Sequence, residues 1–107
     1  MDKSSTNDPI LARFRAVLDE VYGARLERVV LYGSRARGDA RPNSDYDIAV
    51  FLHDMPDRAH ELNRLADIST GILYELGECI HAIPYSARAY DEHTPLMHEI
   101  RSDGIDL

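Results

Sequence analysis

Two aspartates, Asp45 and Asp47, open the apolar segment "DYDIAVFL", residues 45–52. Because the side chains of a strand alternate between its faces, both carboxylates point the same way, while Tyr46 and Ile48 point the other. Two carboxylates roughly 7 Å apart on one face repel each other unless a cation lies between them. Mg²⁺ suits such a pair, because it binds a few carboxylates and takes its other ligands from substrate phosphates and water. The spacing therefore predicts a magnesium site.

Gly33 and Ser34 follow the preceding apolar segment, "LERVVLY". A glycine at this point lets phosphate oxygens approach the backbone, and Ser34 offers a hydroxyl and an amide at a candidate helix N-terminus. If the two apolar segments are neighbouring strands, a triphosphate would fit between these donors and the metal bound by the aspartates. Nucleotidyl transfer needs this arrangement, because its catalysis is mostly positioning and charge neutralisation.

A structural interpretation of the aspartates competes with the chemical one. "PNSD", residues 42–45, is good turn material, and an aspartate near a strand start often hydrogen-bonds to the backbone. Taken alone, the D-x-D pattern favours that turn. Asp47 counts against it, because "IAVFL" follows and a carboxylate that enters a core needs a strong partner.

Three arginines lie in the same region, Arg35, Arg37 and Arg41. A guanidinium suits phosphate geometry, so Arg35 and Arg37 are candidates to bind the triphosphate or the leaving pyrophosphate. The alternative is that they are solvated loop residues, which we prefer for Arg41. Tyr46, between the aspartates, is a candidate for the rear wall of the pocket.

The hydrophobic periodicity predicts helices packed on a small sheet, an α/β or α+β domain. The predicted elements are a helix from Asp8-Pro9 to Gly23, strands over 26–33 and 46–52, a helix with Leu62 to Leu76 on its apolar face that ends at Gly77, a strand over 78–85 that stops at Pro84, a helical turn after Ser86, and a helix from Thr94-Pro95 to Gly104.

The length and charge of the chain restrict its function. Its 107 residues predict a disordered tail over 1–7 and a single domain over 8–107. The 12 Lys and Arg against 19 Asp and Glu give a net charge of −7, which argues against general binding of nucleic-acid phosphates. A single cysteine, Cys79, and the lack of a signal peptide or membrane-spanning run predict a cytoplasmic protein with no membrane contact.

The segment "GSRARGDARPNSDYDIAV", residues 33–50, resembles the G-S-x-A-R-G…S-D-x-D-[LI]-x-V signature of the polymerase-beta-type nucleotidyltransferases. It is most similar to the minimal nucleotidyltransferases, the antitoxin half of HEPN/nucleotidyltransferase pairs in prokaryotes. The resemblance implies a small mixed sheet flanked by helices, a two-ion Mg²⁺ site and ATP as substrate. It also implies transfer of AMP to a hydroxyl, and specifically to a tyrosine of a HEPN-domain ribonuclease toxin that is silenced by this AMPylation.

The resemblance also assigns roles to residues. Gly33, Ser34 and Arg37 would bind the nucleotide phosphates, and Asp45 and Asp47 would bind metal. Members of the family usually supply a third carboxylate from a later strand, in a pattern like V-D-V-V-P. Here "IHAIP" puts His81 at that position, where it could accept a proton or ligate metal but brings no negative charge.

Two alternatives to toxin AMPylation remain open from the sequence. His81 favours a catalytically impaired antitoxin that neutralises its partner by binding alone. The other alternative is an enzyme that nucleotidylates a small molecule or tRNA. The absence of an added acceptor-binding domain counts against both of those acceptors, and the charge of −7 favours a protein partner over RNA.

Overall fold

The computed structural model describes residues 8–107, and the predicted tail over 1–7 lies outside the described residues. Its elements are α1 (Pro9–Tyr22), β1 (Leu26–Tyr32), α2 (Ser34–Arg37), β2 (Tyr46–Leu52), α3 (Arg58–Leu76), β3 (Ile80–Ser86), α4 (Pro95–Asp103) and β4 (Ile105–Asp106), with 3₁₀ turns at Gly23–Arg25 and Ala87–Asp91. The strands form one mixed sheet in the order β3-β2-β1-β4. β2 is antiparallel to β1 and parallel to β3, and β4 is antiparallel to β1. This confirms the predicted α/β fold with a small mixed sheet.

α1 and α4 begin at the residues that the sequence indicates, whereas no start was predicted for α3. The side chain of Asp8 accepts a hydrogen bond of 2.8 Å from the Ile10 amide at the start of α1. Asp57 caps α3 and Thr94 caps α4 in the same way, through the amides of His60 and Met97. Each cap satisfies a backbone donor that the first turn leaves without an intrahelical acceptor.

The last part of the sheet differs from the prediction in two ways. β3 does not stop at Pro84 but continues to Ser86. Proline is tolerated there because β3 is an edge strand, so the amide hydrogen that Pro84 lacks is not needed by a neighbour. β4 was not predicted at all, because Ile105–Asp106 is too short to show a periodic pattern.

The two faces of the sheet are covered differently. The helical face, which carries Ile48, Val50 and Leu52 of β2, packs against α1 and α3 in one apolar cluster. The open face carries Asp47, Ala49 and Phe51 of β2. Ala49 and Phe51 belong to a smaller apolar cluster with residues of α4 and of the 3₁₀ turn Ala87–Asp91. None of the helices between residues 8 and 107 is long and apolar enough to cross a membrane.

One charged side chain, Glu61, is buried beside the helical face. It is 3% exposed and accepts hydrogen bonds from the Tyr22 hydroxyl (3.0 Å) and the Arg25 guanidinium (2.8 Å). Burial alone would raise the pKa of Glu61, but the hydrogen bonds from Arg25 and Tyr22 and the positive charges of Arg25 and Arg64 bring that pKa below its ordinary value. The carboxylate is therefore held in its ionised form.

Candidate active site

The turn after β1 presents backbone amides at the edge of the open face. Gly33 follows β1 with φ +75° and precedes the single turn of α2. The amides of Ala36 and Arg37 both donate to the Gly33 carbonyl, at 3.1 Å each. Within residues 8–107 the amides of Ser34 and Arg35 have no such acceptor, so they are available to an anion.

Gly33 also lies directly against Asp47. A Cβ atom at position 33 would stand 2.6 Å from Asp47 Oδ2, closer than real Cβ contacts come. The antiparallel pairing of β1 with β2 causes this approach, because it sets Tyr32 opposite Asp47. The positive φ therefore favours glycine at position 33, and any side chain there would also displace the Asp47 carboxylate.

The loop before β2 does not use the aspartates to make its turn. The Ser44 hydroxyl accepts a hydrogen bond from the Arg41 amide (2.9 Å), and the Ser44 amide donates to the Arg41 carbonyl (3.0 Å). In the part of the chain that the structure describes, neither Asp45 nor Asp47 accepts a backbone hydrogen bond. Asp45 is exposed immediately before β2. The turn interpretation therefore does not account for the pair.

His81 stands next to Asp47. The parallel register of β2 and β3 pairs these residues, and His81 Nδ1 lies 3.6 Å from Asp47 Oδ1. Their side chains are 62% and 34% exposed, so both are accessible from solvent. The structure thus brings Gly33, Asp47 and His81 together at the uncovered end of the open face.

Arg35 has a structural role that the sequence did not indicate. Its guanidinium donates to the Ser44 carbonyl at 2.7 and 3.0 Å and lies 4.1 Å above the Tyr46 ring. It thereby holds the loop that carries Asp45. Tyr46 itself points to the helical face, where its hydroxyl donates to Asp8 (2.8 Å), so the expectation that it forms the rear wall of the site is wrong.

Arg37 is the last residue of α2, and its side chain faces solvent. It makes ion pairs with Asp39 at 3.4 Å and with Glu99 of α4 at 3.6 Å. Pairs between half-exposed side chains are weak and exchange easily. The Arg37 guanidinium is therefore free to move toward an anion held by the neighbouring turn.

Comparison with known proteins identifies the family. Residues 20–107 match the family described as "Polymerase beta, Nucleotidyltransferase". The chain belongs to this nucleotidyltransferase family. It is similar to a Methanocaldococcus jannaschii protein named "Putative protein adenylyltransferase MJ0141", with 36% identity over 98 residues that cover 92% of this chain and 95% of the relative.

Solved structures share the fold of this nucleotidyltransferase domain. The "Structure of putative minimal nucleotidyltransferase" has a TM-score of 0.62 and 27% identity, covering 100% of this chain and 97% of the other. A toxin-antitoxin crystal structure with AMP-PNP has a TM-score of 0.62 and 20% identity over 88% of this chain and 69% of the other. The tri-AMPylated Shewanella oneidensis HEPN toxin in complex with its MNT antitoxin gives 0.55 and 15% over 91% and 70%.

Tyr32 lies beside the candidate site and was missed by the sequence analysis. It ends β1 on the open face, opposite Asp47. Burial, and then the neighbouring Tyr85, Asp47 and Glu99, raise the pKa of Tyr32 to about 12, so the hydroxyl keeps its proton at neutral pH. The sequence could have indicated this position, because Tyr32 lies two residues after Val30, and so on the same face of the strand, and directly before Gly33.

The side chains of the site fit a cation that keeps other ligands. Within residues 8–107 no group of three or more His, Cys, Asp or Glu side chains is arranged to enclose a metal. Asp47 instead offers an accessible carboxylate beside the bare backbone of Gly33, and Asp45 is exposed one residue before β2. Mg²⁺ accepts such an incomplete set, because it retains water and binds substrate phosphates.

Proposed function

We propose that this chain is an antitoxin-type nucleotidyltransferase that transfers AMP from Mg-ATP to a hydroxyl, a tyrosine, of a HEPN-domain ribonuclease toxin. The observation that carries the proposal is the placement of the Asp47 carboxylate between the Gly33 backbone and His81, in a chain of this family. The neighbours that contain AMP-PNP and an AMPylated HEPN toxin support the nucleotide and the partner. The relative from M. jannaschii supports a protein acceptor.

The chain's own residues bind and orient the nucleotide. The amides of Ser34 and Arg35 and the Ser34 hydroxyl receive phosphate oxygens, and Gly33 lets them approach. Arg37 leaves its weak pairs with Asp39 and Glu99 to bind the pyrophosphate that departs. Asp45 and Asp47 would hold Mg²⁺, which when bound supplies neutralisation of the phosphate charge.

In the proposed reaction, His81 takes the proton of the attacking hydroxyl. The acceptor oxygen forms a bond to the α-phosphorus, the bond from that phosphorus to the bridging oxygen breaks, and pyrophosphate leaves with the electron pair. The hydroxyl proton passes to the imidazole nitrogen of His81, a usual general base. The accessible ring beside Asp47 leaves room for an acceptor from solvent.

A second candidate function is neutralisation by binding alone. It is favoured by one observation, that His81 stands beside Asp47 where the family usually supplies a third carboxylate. Without that charge, the site has fewer ligands for metal. Binding to the toxin would not depend on these metal ligands.

Intact-mass spectrometry of the toxin separates the two functions. A HEPN-domain toxin is incubated with the chain, Mg²⁺ and each nucleoside triphosphate in turn. We expect its mass to rise by one or more nucleotidyl units with ATP, and not to rise when Asp47→Asn replaces the wild type. An unchanged mass with a stable complex would favour binding alone, and the lack of both would refute the proposed function.

A further inference from the structure

A groove runs between α3 and the outer edge of β3. Its volume is about 370 Å³, and the α3 side presents Leu62, Ala66 and Leu73. The other wall is the consecutive run 79–83. Because alternate residues of a strand point to opposite faces, a consecutive run lines a groove only where the groove follows the strand edge. The groove therefore exposes the backbone edge of β3 itself.

The backbone groups on this edge have no partner among residues 8–107. β3 pairs only with β2, and the Tyr46 amide donates to the Cys79 carbonyl at 3.0 Å. In a parallel ladder this bond fixes which residues face the neighbour, so Ile80 and Ala82 turn their amides and carbonyls outward. Pro84 comes next on the same edge and has no amide hydrogen to donate. The edge can thus accept a short extended chain.

Ser69, on the wall of the groove, has a hydroxyl without a partner. Its Oγ is buried and makes no hydrogen bond with the described residues. The adjacent Thr70 hydroxyl, in contrast, donates to the Ala66 carbonyl at 2.9 Å. A buried hydroxyl that is left unpaired destabilises the free protein. Because this oxygen is covered, a segment bound in the groove would supply the missing partner by shifting the wall around Ser69.

The groove is continuous with the candidate active site. His81 belongs to the groove wall and also lies 3.6 Å from Asp47. A chain paired with the edge of β3 would therefore pass beside His81 with alternate side chains directed to the open face. Leu73, which lines the groove and is 40% exposed, adds apolar surface beside such a chain.

We propose that this groove docks an extended segment of the protein acceptor, which adds as a strand to the outer edge of β3 and brings its hydroxyl to His81 and Asp47. This inference rests on the proposed function, because it requires an acceptor that is a protein. Strand addition draws affinity from the backbone and specificity from side-chain pockets. A second copy of this chain is a poorer occupant, because each copy carries a net charge of −7.

Two alanine-to-tyrosine variants on α3 test the groove. Ala66 lines it, whereas Ala59 is exposed on the same helix outside it. We expect Ala66→Tyr to weaken binding of the HEPN-domain protein at least tenfold by surface plasmon resonance, and Ala59→Tyr to leave it unchanged. Both variants should bind Mg-ATP as the wild type does. In the wild-type complex, the amides of Ile80 and Ala82 should exchange hydrogen more slowly than in the free chain.

Ser69→Ala provides a second test that does not depend on a bulky side chain. It removes the unpaired hydroxyl, so we expect an equal or higher melting temperature together with a several-fold loss of affinity for the HEPN-domain protein. A merely structural serine would lose stability and keep affinity. A well-folded Ala66→Tyr chain that binds the HEPN-domain protein like the wild type would overturn the groove assignment, as would unchanged exchange at Ile80 and Ala82.

The remaining outcomes separate the groove from the proposed function. If the wild type is a dimer that Ala66→Tyr converts to a monomer in light scattering, a second copy occupies the groove and the assignment is wrong. If the wild type modifies the HEPN-domain protein and Ala66→Tyr does so equally well, only the groove assignment fails. If the wild type neither binds nor modifies that protein, the proposed function fails and the groove assignment falls with it.

Discussion

The helical face and the open face of the sheet use the same strand for different purposes. On the helical face, Ile48, Val50 and Leu52 are fully buried under α1 and α3. On the open face, Phe51 and Ala49 make the apolar contacts of β2, and Asp47, nearer the start of the strand, has a third of its side chain exposed. One strand is thus anchored by its apolar face while its other face presents a carboxylate. A site of this kind is held in place by the core beneath it.

The largest expected effect comes from the open face. Asp47→Asn keeps the shape of the side chain and removes the charge that holds the cation, so we expect transfer to the toxin to fall by at least about 10²-fold. The melting temperature should stay near that of the wild type, because the side chain is accessible. Initial rates of toxin labelling from radioactive ATP measure this, with Asp45→Asn as the companion variant. Transfer retained in both variants would contradict the two-carboxylate site.

Ile48→Ala, one residue further along β2, should have the opposite profile. Its side chain is fully buried in the cluster of the helical face, so truncation should lower the free energy of unfolding by about 2–5 kcal/mol. The labelling rate, measured well below the melting temperature, should change little. Urea unfolding followed by circular dichroism gives the stability. A variant that lost transfer while fully folded would show that the two faces are not separable in this way.

Glu61 extends the comparison to carboxylates in the two environments. Its folded pKa lies below its ordinary value, so its contribution to stability is complete above about pH 4.5 and is lost as the pH falls through the folded pKa. Glu61→Gln should cost about 1–2 kcal/mol at neutral pH, because the charged hydrogen bond from Arg25 becomes a neutral one.

Urea unfolding at a series of pH values measures this contribution. The gap in stability between wild type and Glu61→Gln should be constant above about pH 4.5 and narrow as the pH falls below it, through the lowered pKa of Glu61. Asp45→Asn serves as the control, because that carboxylate is exposed and makes no hydrogen bond or ion pair with residues 8–107. A constant gap across the series would argue against an ionised Glu61 as the source.

What the sequence could predict follows the range of the interactions involved. The ends of α1 depend on Asp8, Pro9 and Gly23, which act within one helical turn, so they were predicted correctly. The extension of β3 past Pro84 depends on that strand lying at the edge of the sheet, and the edge is set by pairing between distant segments. No local pattern carries that information.

The features of the candidate site also divide into those set by local sequence and those set by pairing between distant segments. The spacing of Asp45 and Asp47 and the glycine before α2 are local, and the resemblance added His81. The contact of Gly33 with Asp47 depends on the register of β1 and β2, and so does the place of Tyr32. The hold of Arg35 on the loop likewise depends on how residues 38–45 fold back. These relations had to come from the structure.

The smallest expected effect separates a glycine that geometry requires from one that is only tolerated. Gly71 lies in the interior of α3, where an added Cβ would meet nothing within 4 Å, so Gly71→Ala should raise the free energy of unfolding by about 0.5–1 kcal/mol. Transfer should be unchanged. The same substitution at Gly33 provides the contrast, because there the Cβ would meet the Asp47 carboxylate and the backbone has a positive φ. If stability rises at position 71 while both stability and transfer fall at position 33, the bare backbone of Gly33 belongs to the site. Equal gains in stability at both positions would show that the close approach of Gly33 and Asp47 does not constrain position 33.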